Sequence, residues 1–176
     1  FMVFFGAYLA YFPLLMESSF GSSSLIIGVV MSTMSITTGI VSARLGWLGQ
    51  RIRKRGLLQI AFLCYASALL LIPLMPYEFI LLPLFLFGVG QGLNIPVVQS
   101  CLASLVPIES RGGFMSMNGL SLRIGQTLGP VVMGLSLAVY GIDSVFLLGA
   151  VLAIAGFLIV LVGLGDWSGE MDQESM

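Results

Sequence analysis

The stretch Arg51-Ile52-Arg53-Lys54-Arg55 lies between two long apolar runs and holds four of the chain's seven Lys and Arg residues. Basic residues beside a membrane span stay on the cytoplasmic side. With Arg44 just before the run and Arg111 two apolar segments later, six of the seven basic residues fall on one face. The loops assigned to the other face carry Glu17, Glu78 and Asp143 and no Lys or Arg. That asymmetry is the mark of a multi-span membrane protein with a readable topology.

Composition points the same way. The 176 residues are 58% hydrophobic and 9% charged, with a mean hydropathy of +1.07, far from the soluble range. A helix needs about 20 apolar residues to cross the bilayer core. Six such stretches are read here, over 1–16, 25–45, 57–75, 79–102, 114–139 and 145–164. Their length and lack of alternation exclude the strands of a barrel wall. The fold class is all-α, a polytopic transmembrane helix bundle of six spans.

The first span opens on Phe1, with no basic segment before it, which argues against a signal peptide. The chain is expected to be a fragment cut inside a helix, with further sequence before Phe1. Residues 165–176, with Asp166, Glu170, Asp172 and Glu174, form an acidic tail. Six spans with the basic loops inside place both ends of the segment in the cytoplasm.

The helices differ in polarity. The sixth span has no polar side chain after Phe146, and the third has little beyond Gln59, Cys64, Tyr65 and Ser67. Both read as peripheral, lipid-facing helices. The second carries Gly28, Ser32, Ser35, Gly39 and Ser42 at steps of four, three, four and three, which lines one helical face. That face serves either close helix packing or a water-filled path.

The fifth span has a polar or small stripe of Ser116, Gly119, Arg123, Gln126, Thr127 and Pro130. Opposite it run Phe114, Met117, Leu120, Ile124, Leu128 and Val131. Arg123 lies eleven residues past Gly112, hence roughly 16 Å deep, near mid-membrane. An Arg there costs roughly 2.5–3.5 kcal/mol on insertion scales. It is read as facing a cavity, or else as snorkelling or held by neighbouring carbonyls.

The fourth span contains Gly88-Val89-Gly90-Gln91-Gly92-Leu93-Asn94-Ile95-Pro96. Without a flanking strand, an acidic ribose ligand or a Walker lysine, this is no phosphate loop. In a membrane helix the glycines and Pro96 loosen the backbone and permit bending. Gln91 lies at nearly the depth of Arg123, and the two suggest a polar cavity. The alternative is a Gln bonded to a neighbouring helix.

Gly46-Trp47-Leu48-Gly49-Gln50-Arg51-Ile52-Arg53-Lys54-Arg55 resembles the loop between the second and third helices of each half of a major facilitator superfamily transporter. That loop reads G-x-L-(A/G)-D-(R/K)-x-G-(R/K)-(R/K). Gly46, Leu48, Gly49, Arg51, Lys54 and Arg55 match it, whereas Gln50 and Arg53 depart. The departures favour the C-terminal half and question a charge relay through position 50. Glu109-Ser110-Arg111-Gly112-Gly113-Phe114, running into Arg123-Ile124-Gly125-Gln126-Thr127-Leu128-Gly129-Pro130, is similar to the penultimate helix of prokaryotic drug-efflux members.

The resemblance implies the C-terminal half of a twelve-helix transporter in the plasma membrane, with inverted repeats of three helices. The first, second, fourth and fifth helices would line or flank a central cavity. Tyr8, Tyr11, Ser32, Ser35, Gln91, Asn94, Arg123 and Gln126 are its expected lining, and Gly88, Gly92, Pro96, Gly125, Gly129 and Pro130 its flexing and packing positions. The implied mechanism is alternating access for a small solute such as a lipophilic drug. The basic loop would contact the partner half or anionic lipid, or serve orientation alone.

Every Asp and Glu lies at a helix end, in a loop or in the tail. A proton-carrying carboxylate is therefore expected upstream, in the N-terminal half. No Walker motif, catalytic cluster or metal-ligand set occurs, so an enzyme, a cofactor and a nucleic-acid partner are not expected. Two other readings stay open: a six-helix protein that starts near Met2 and pairs with itself, and a non-transporting scaffold or receptor.

Overall fold

The computed structural model describes residues 2–104, 107 and 110–163. Glu109 and the acidic tail lie outside the described residues. A π-helix, Phe4–Tyr11, runs directly into α1, Phe12–Phe20. Pro13 has no N–H to offer Leu9, and the turns just before it take up i→i+5 bonding. The helix reaches Phe20, past the expected end at residue 16, because Gly21 is the residue that takes a left-handed conformation (φ 59°) and stops it.

There follow α2 (Ser24–Ala43), the short α3 (Leu45–Arg51), α4 (Lys54–Leu71), a 3₁₀ turn (Tyr77–Phe79), α5 (Leu81–Ser104), α6 (Arg111–Tyr140) and α7 (Ile142–Gly163). Five of these segments are long and apolar enough to cross a membrane, and no strand occurs among the described residues. The helix α3 was not foreseen. It forms because Leu45, Leu48 and Ile52 pack onto the bundle beneath them.

Side-chain registers fix the directions. Gly6 meets Gly129 and Met133, and Tyr11 meets Pro130 and Gly134, so the N-terminal helix runs parallel to α6. Thr38 meets Gly88 and Ser42 meets Gly92, so α2 runs parallel to α5. The helix α4 is antiparallel to both α5 and α7: Ala61 meets Gly90 and Tyr65 meets Phe87, while Phe62 meets Gly156 and Leu69 meets Gly149. Counting the N-terminal pair as one helix and leaving out α3, five of the pairings map onto one another when the first three helices are exchanged with the last three, whereas those of the fifth with the sixth and the first with the second have no counterpart of like extent. First-with-fifth maps onto fourth-with-second, third-with-fourth onto sixth-with-first, and third-with-sixth onto itself. That is the geometry of an inverted repeat.

These directions gather Arg44, Arg51, Arg53, Lys54, Arg55 and Arg111 at one end of the bundle, and Glu17, Glu78 and Asp143 at the other. The helix α5 is central, with 56% of an apolar window buried against 39% for α4, 33% for α7, 17% for α2 and 11% for α6. The helices with stripes of small and polar residues, α2 and α6, are thus the least covered of the five, and α4 and α7 are packed against each other and their neighbours.

Candidate functional site

Glycines set how closely α5 is held. A Cβ on Gly88 would stand 2.7 Å from the Met34 carbonyl oxygen, and one on Gly92 2.8 Å from that of Thr38. On another side, a Cβ on Gly90 would come 2.9 Å from the Ala61 oxygen. Such absences let backbones touch, which is how membrane helices associate where lipid is as apolar as Leu. Thr38 donates to the Gly88 carbonyl at 3.2 Å and Ser42 to the Gly92 carbonyl at 3.0 Å. Pro96 lies four residues past Gly92 and has no N–H to give it. Ser42 therefore supplies the donor that the helix itself lacks.

Gln91 is only 6% exposed, and its Oε1 accepts a hydrogen bond from Tyr65 of α4, itself 5% exposed. Asn94 lies beside the same hydroxyl. Tyr65 is not among the cavity residues expected from sequence, since its helix reads as peripheral. A buried phenol needs a partner, and Gln91 is the one it finds. Tyr8 is equally buried, donates to the Met31 carbonyl at 3.2 Å and stacks on Phe12 and Phe87. Tyr11 donates to the Pro130 carbonyl at 2.9 Å, and its hydroxyl occupies the space that a side chain at Gly134 would need. Gly129 packs on the backbone of Met2 and Gly6, while Gly125 is half-buried.

Ser32, Ser35, Arg123 and Gln126 lie on the surface of the described bundle. Ser32 returns its hydroxyl to Gly28 within its own helix. Nothing stands within 4 Å of a Cβ at Gly28 or Gly39. The helix α2 packs through Met34, Thr37, Thr38 and Val41, a face next to the stripe. The whole N-terminal half of α6, from Arg111 to Leu128, is likewise uncovered or half-covered.

A cleft of about 230 Å³ opens between α5 and α6, floored by Phe62 of α4. Asn94, Gln99 and Asn118 supply its carboxamides, and Ile95, Val98 and Leu122 its apolar wall. Of these only Asn94 was picked out from sequence. Arg123 is five residues beyond Asn118 and so turned roughly 140° from it around the helix.

In the basic loop, Arg55 donates to the Leu161 carbonyl in the last turn of α7, where the helix dipole is negative. The Arg51 guanidinium lies 4.4 Å from the Trp47 ring centroid. Leu48 is half-buried, Lys54 faces the neighbourhood of Cys101, and Gly46, Gly49 and Gln50 are exposed.

Residues 1–169 match the family model of the Major Facilitator Superfamily. The chain belongs to this superfamily. Among curated relatives, it is 34% identical over 116 residues to "Probable anion transporter 6" of Oryza sativa subsp. japonica, an alignment covering 65% of this chain and 27% of that protein. It is 33% identical over 129 residues to "Multidrug resistance protein MdtG" of Klebsiella pneumoniae (strain 342), covering 70% and 30%. With the protein of that name from Enterobacter lignolyticus (strain SCF1) it shares 33% over 141 residues, covering 78% and 32%. The chain thus spans about a third or less of the relatives it matches.

Proposed function

We propose that this chain is the C-terminal half of a secondary transporter that moves a small solute by alternating access between two six-helix halves. One observation carries the reading: α2 and α6, the helices that carry stripes of small and polar residues, are the spanning helices left least covered. An Arg at mid-membrane costs roughly 2.5–3.5 kcal/mol against lipid, so the face bearing Arg123 calls for a water-filled cavity or a polar partner. A second half seated against α2 and α6 encloses such a cavity, lined by Ser32, Ser35, Arg123 and Gln126. Tyr8, Tyr11, Gln91 and Asn94 support it from behind through bonds within this half.

The relatives' names divide between anion transport and multidrug resistance. A cavity with one fixed cation and otherwise apolar or uncharged walls suits a lipophilic solute, with Arg123 available to a negative group. Proton coupling, if used, runs through a carboxylate of the N-terminal half, since Arg123 does not release its proton. The protein sits in the plasma membrane with its basic end in the cytoplasm.

The test expresses the full-length protein in cells lacking their own drug pumps. Ethidium efflux and radiolabelled phosphate uptake are measured for wild type, Arg123→Ala and Arg123→Lys. Loss of flux at equal membrane abundance in Arg123→Ala, with partial recovery in Arg123→Lys, supports the cavity. Unchanged flux in both assays for Arg123→Ala removes it.

A further inference from the structure

We propose that the outer face of α3 is a docking surface for the headgroup of an anionic phospholipid in the leaflet at the basic end. The inference rests on the membrane embedding of the bundle and not on the transport reading. Leu45, Leu48 and Ile52 recur at i, i+3 and i+7 and seat the helix on a cluster that includes Leu57, Leu93, Val97 and Val160. Arg44, Trp47 and Arg51 recur at the same spacing on the neighbouring face, within about 60° of one another. All three are exposed, Trp47 by 57%.

The packing of α3 leaves a large aromatic side chain outside, with a guanidinium 4.4 Å from its centroid. In a soluble protein an exposed Trp of this kind marks a contact. At the end of two membrane helices it lies where indole rings prefer to be, between acyl chains and headgroups. Arg44 and Arg51 flank it, Arg53 and Lys54 follow, and the acidic residues among the described ones, Glu17, Glu78 and Asp143, lie at the far end. A phosphodiester attached to acyl chains meets both halves of this face, with its oxygens on the guanidiniums and its glycerol and upper chain on the indole. A phosphocholine headgroup brings a cation of its own to the arginines. The surface therefore selects a net negative headgroup.

The experiment is native mass spectrometry of the full-length protein in detergent, offered equal amounts of phosphatidylglycerol and phosphatidylcholine with the same chains. Phosphatidylglycerol is retained preferentially, and the preference falls about fivefold for each guanidinium lost in Arg44→Gln and Arg51→Gln. Arg44→Lys with Arg51→Lys keeps most of it, which separates charge from misfolding. An unchanged preference in the Gln double variant overturns the proposal. So does displacement of the lipid by excess inorganic phosphate, which would make the face a site for soluble anions. A photo-crosslinker at position 47 attaches to lipid in phosphatidylglycerol vesicles. Attachment to another segment of the protein instead would replace the lipid as occupant.

Discussion

The Ser42 hydroxyl lies 3.0 Å from the Gly92 carbonyl oxygen, the oxygen that Pro96 deprives of its donor within the helix. In lipid no water replaces a missing backbone bond, so a Pro in a spanning helix depends on a neighbour. Here the neighbour is α2, and Gly92 lets it approach closely enough to help. The break in α5 and the seam between α2 and α5 are therefore one feature.

Ser42→Ala is expected to destabilise the protein by about 1 kcal/mol, within the range for interhelical bonds in membranes. In a Pro96→Ala background residue 96 regains its N–H, and the same change should cost close to nothing. A double-mutant cycle on thermal unfolding in detergent measures this coupling. Equal costs in both backgrounds would show that the hydroxyl and the proline act independently.

Glycine substitutions distinguish packing faces. Gly92→Ala brings a methyl to 2.8 Å from a backbone oxygen and the Val41 side chain, so the helices must part. A loss of about 1–3 kcal/mol is expected, as for overpacked cores. Gly39→Ala meets nothing within 4 Å, and the better helix propensity of Ala favours it. A loss at Gly39 matching that at Gly92 would show that another part of the full-length protein packs closely against the stripe.

Tyr65→Phe should leave the Gln91 carboxamide short of its buried donor, at a cost of about 1–3 kcal/mol. Tyr65→Phe combined with Gln91→Leu removes both partners and should recover much of the loss. Thermal midpoints in detergent report the outcome. Additive losses would mean that Gln91 is held by something other than Tyr65.

The all-helical class and the sorting of charge to two ends were legible because a bilayer imposes length and charge rules on each segment alone. Which face of a helix meets which neighbour was not. On α2 two adjacent stripes have helical spacing. The one rich in Gly and Ser was the conspicuous one, yet the packed face is Met34, Thr37, Thr38 and Val41. The choice depends on Gly88 and Gly92, fifty residues away. The i, i+4 relation of Gly92 to Pro96 was readable as an orphaned carbonyl, but not that Ser42 would serve it. Tyr65 carried a usable signal, since a phenol inside an apolar helix has to bond to something. Gln99 and Asn118 carried none, because the cleft they line exists only once α5 and α6 are placed.

Arg55 ties the start of α4 to the end of α7 by donating to the Leu161 carbonyl. A cation at a helix C-terminus stabilises it by about 0.3–1 kcal/mol, and by up to about 2 where partly buried. Arg55 is half-buried, so the upper part of that range applies. Arg55→Met should loosen the last turn of α7 and raise amide exchange over 160–163, leaving the opposite end of the helix, around Phe146 and Gly149, protected. Arg55→Lys keeps the charge near the dipole and loses the forked reach of the guanidinium, so its exchange should fall between the two. The comparison separates the basic loop's two roles. A loop that only orients the chain during insertion would leave exchange at Leu161 unchanged in Arg55→Met, whereas a loop that holds the bundle closed at this end would not.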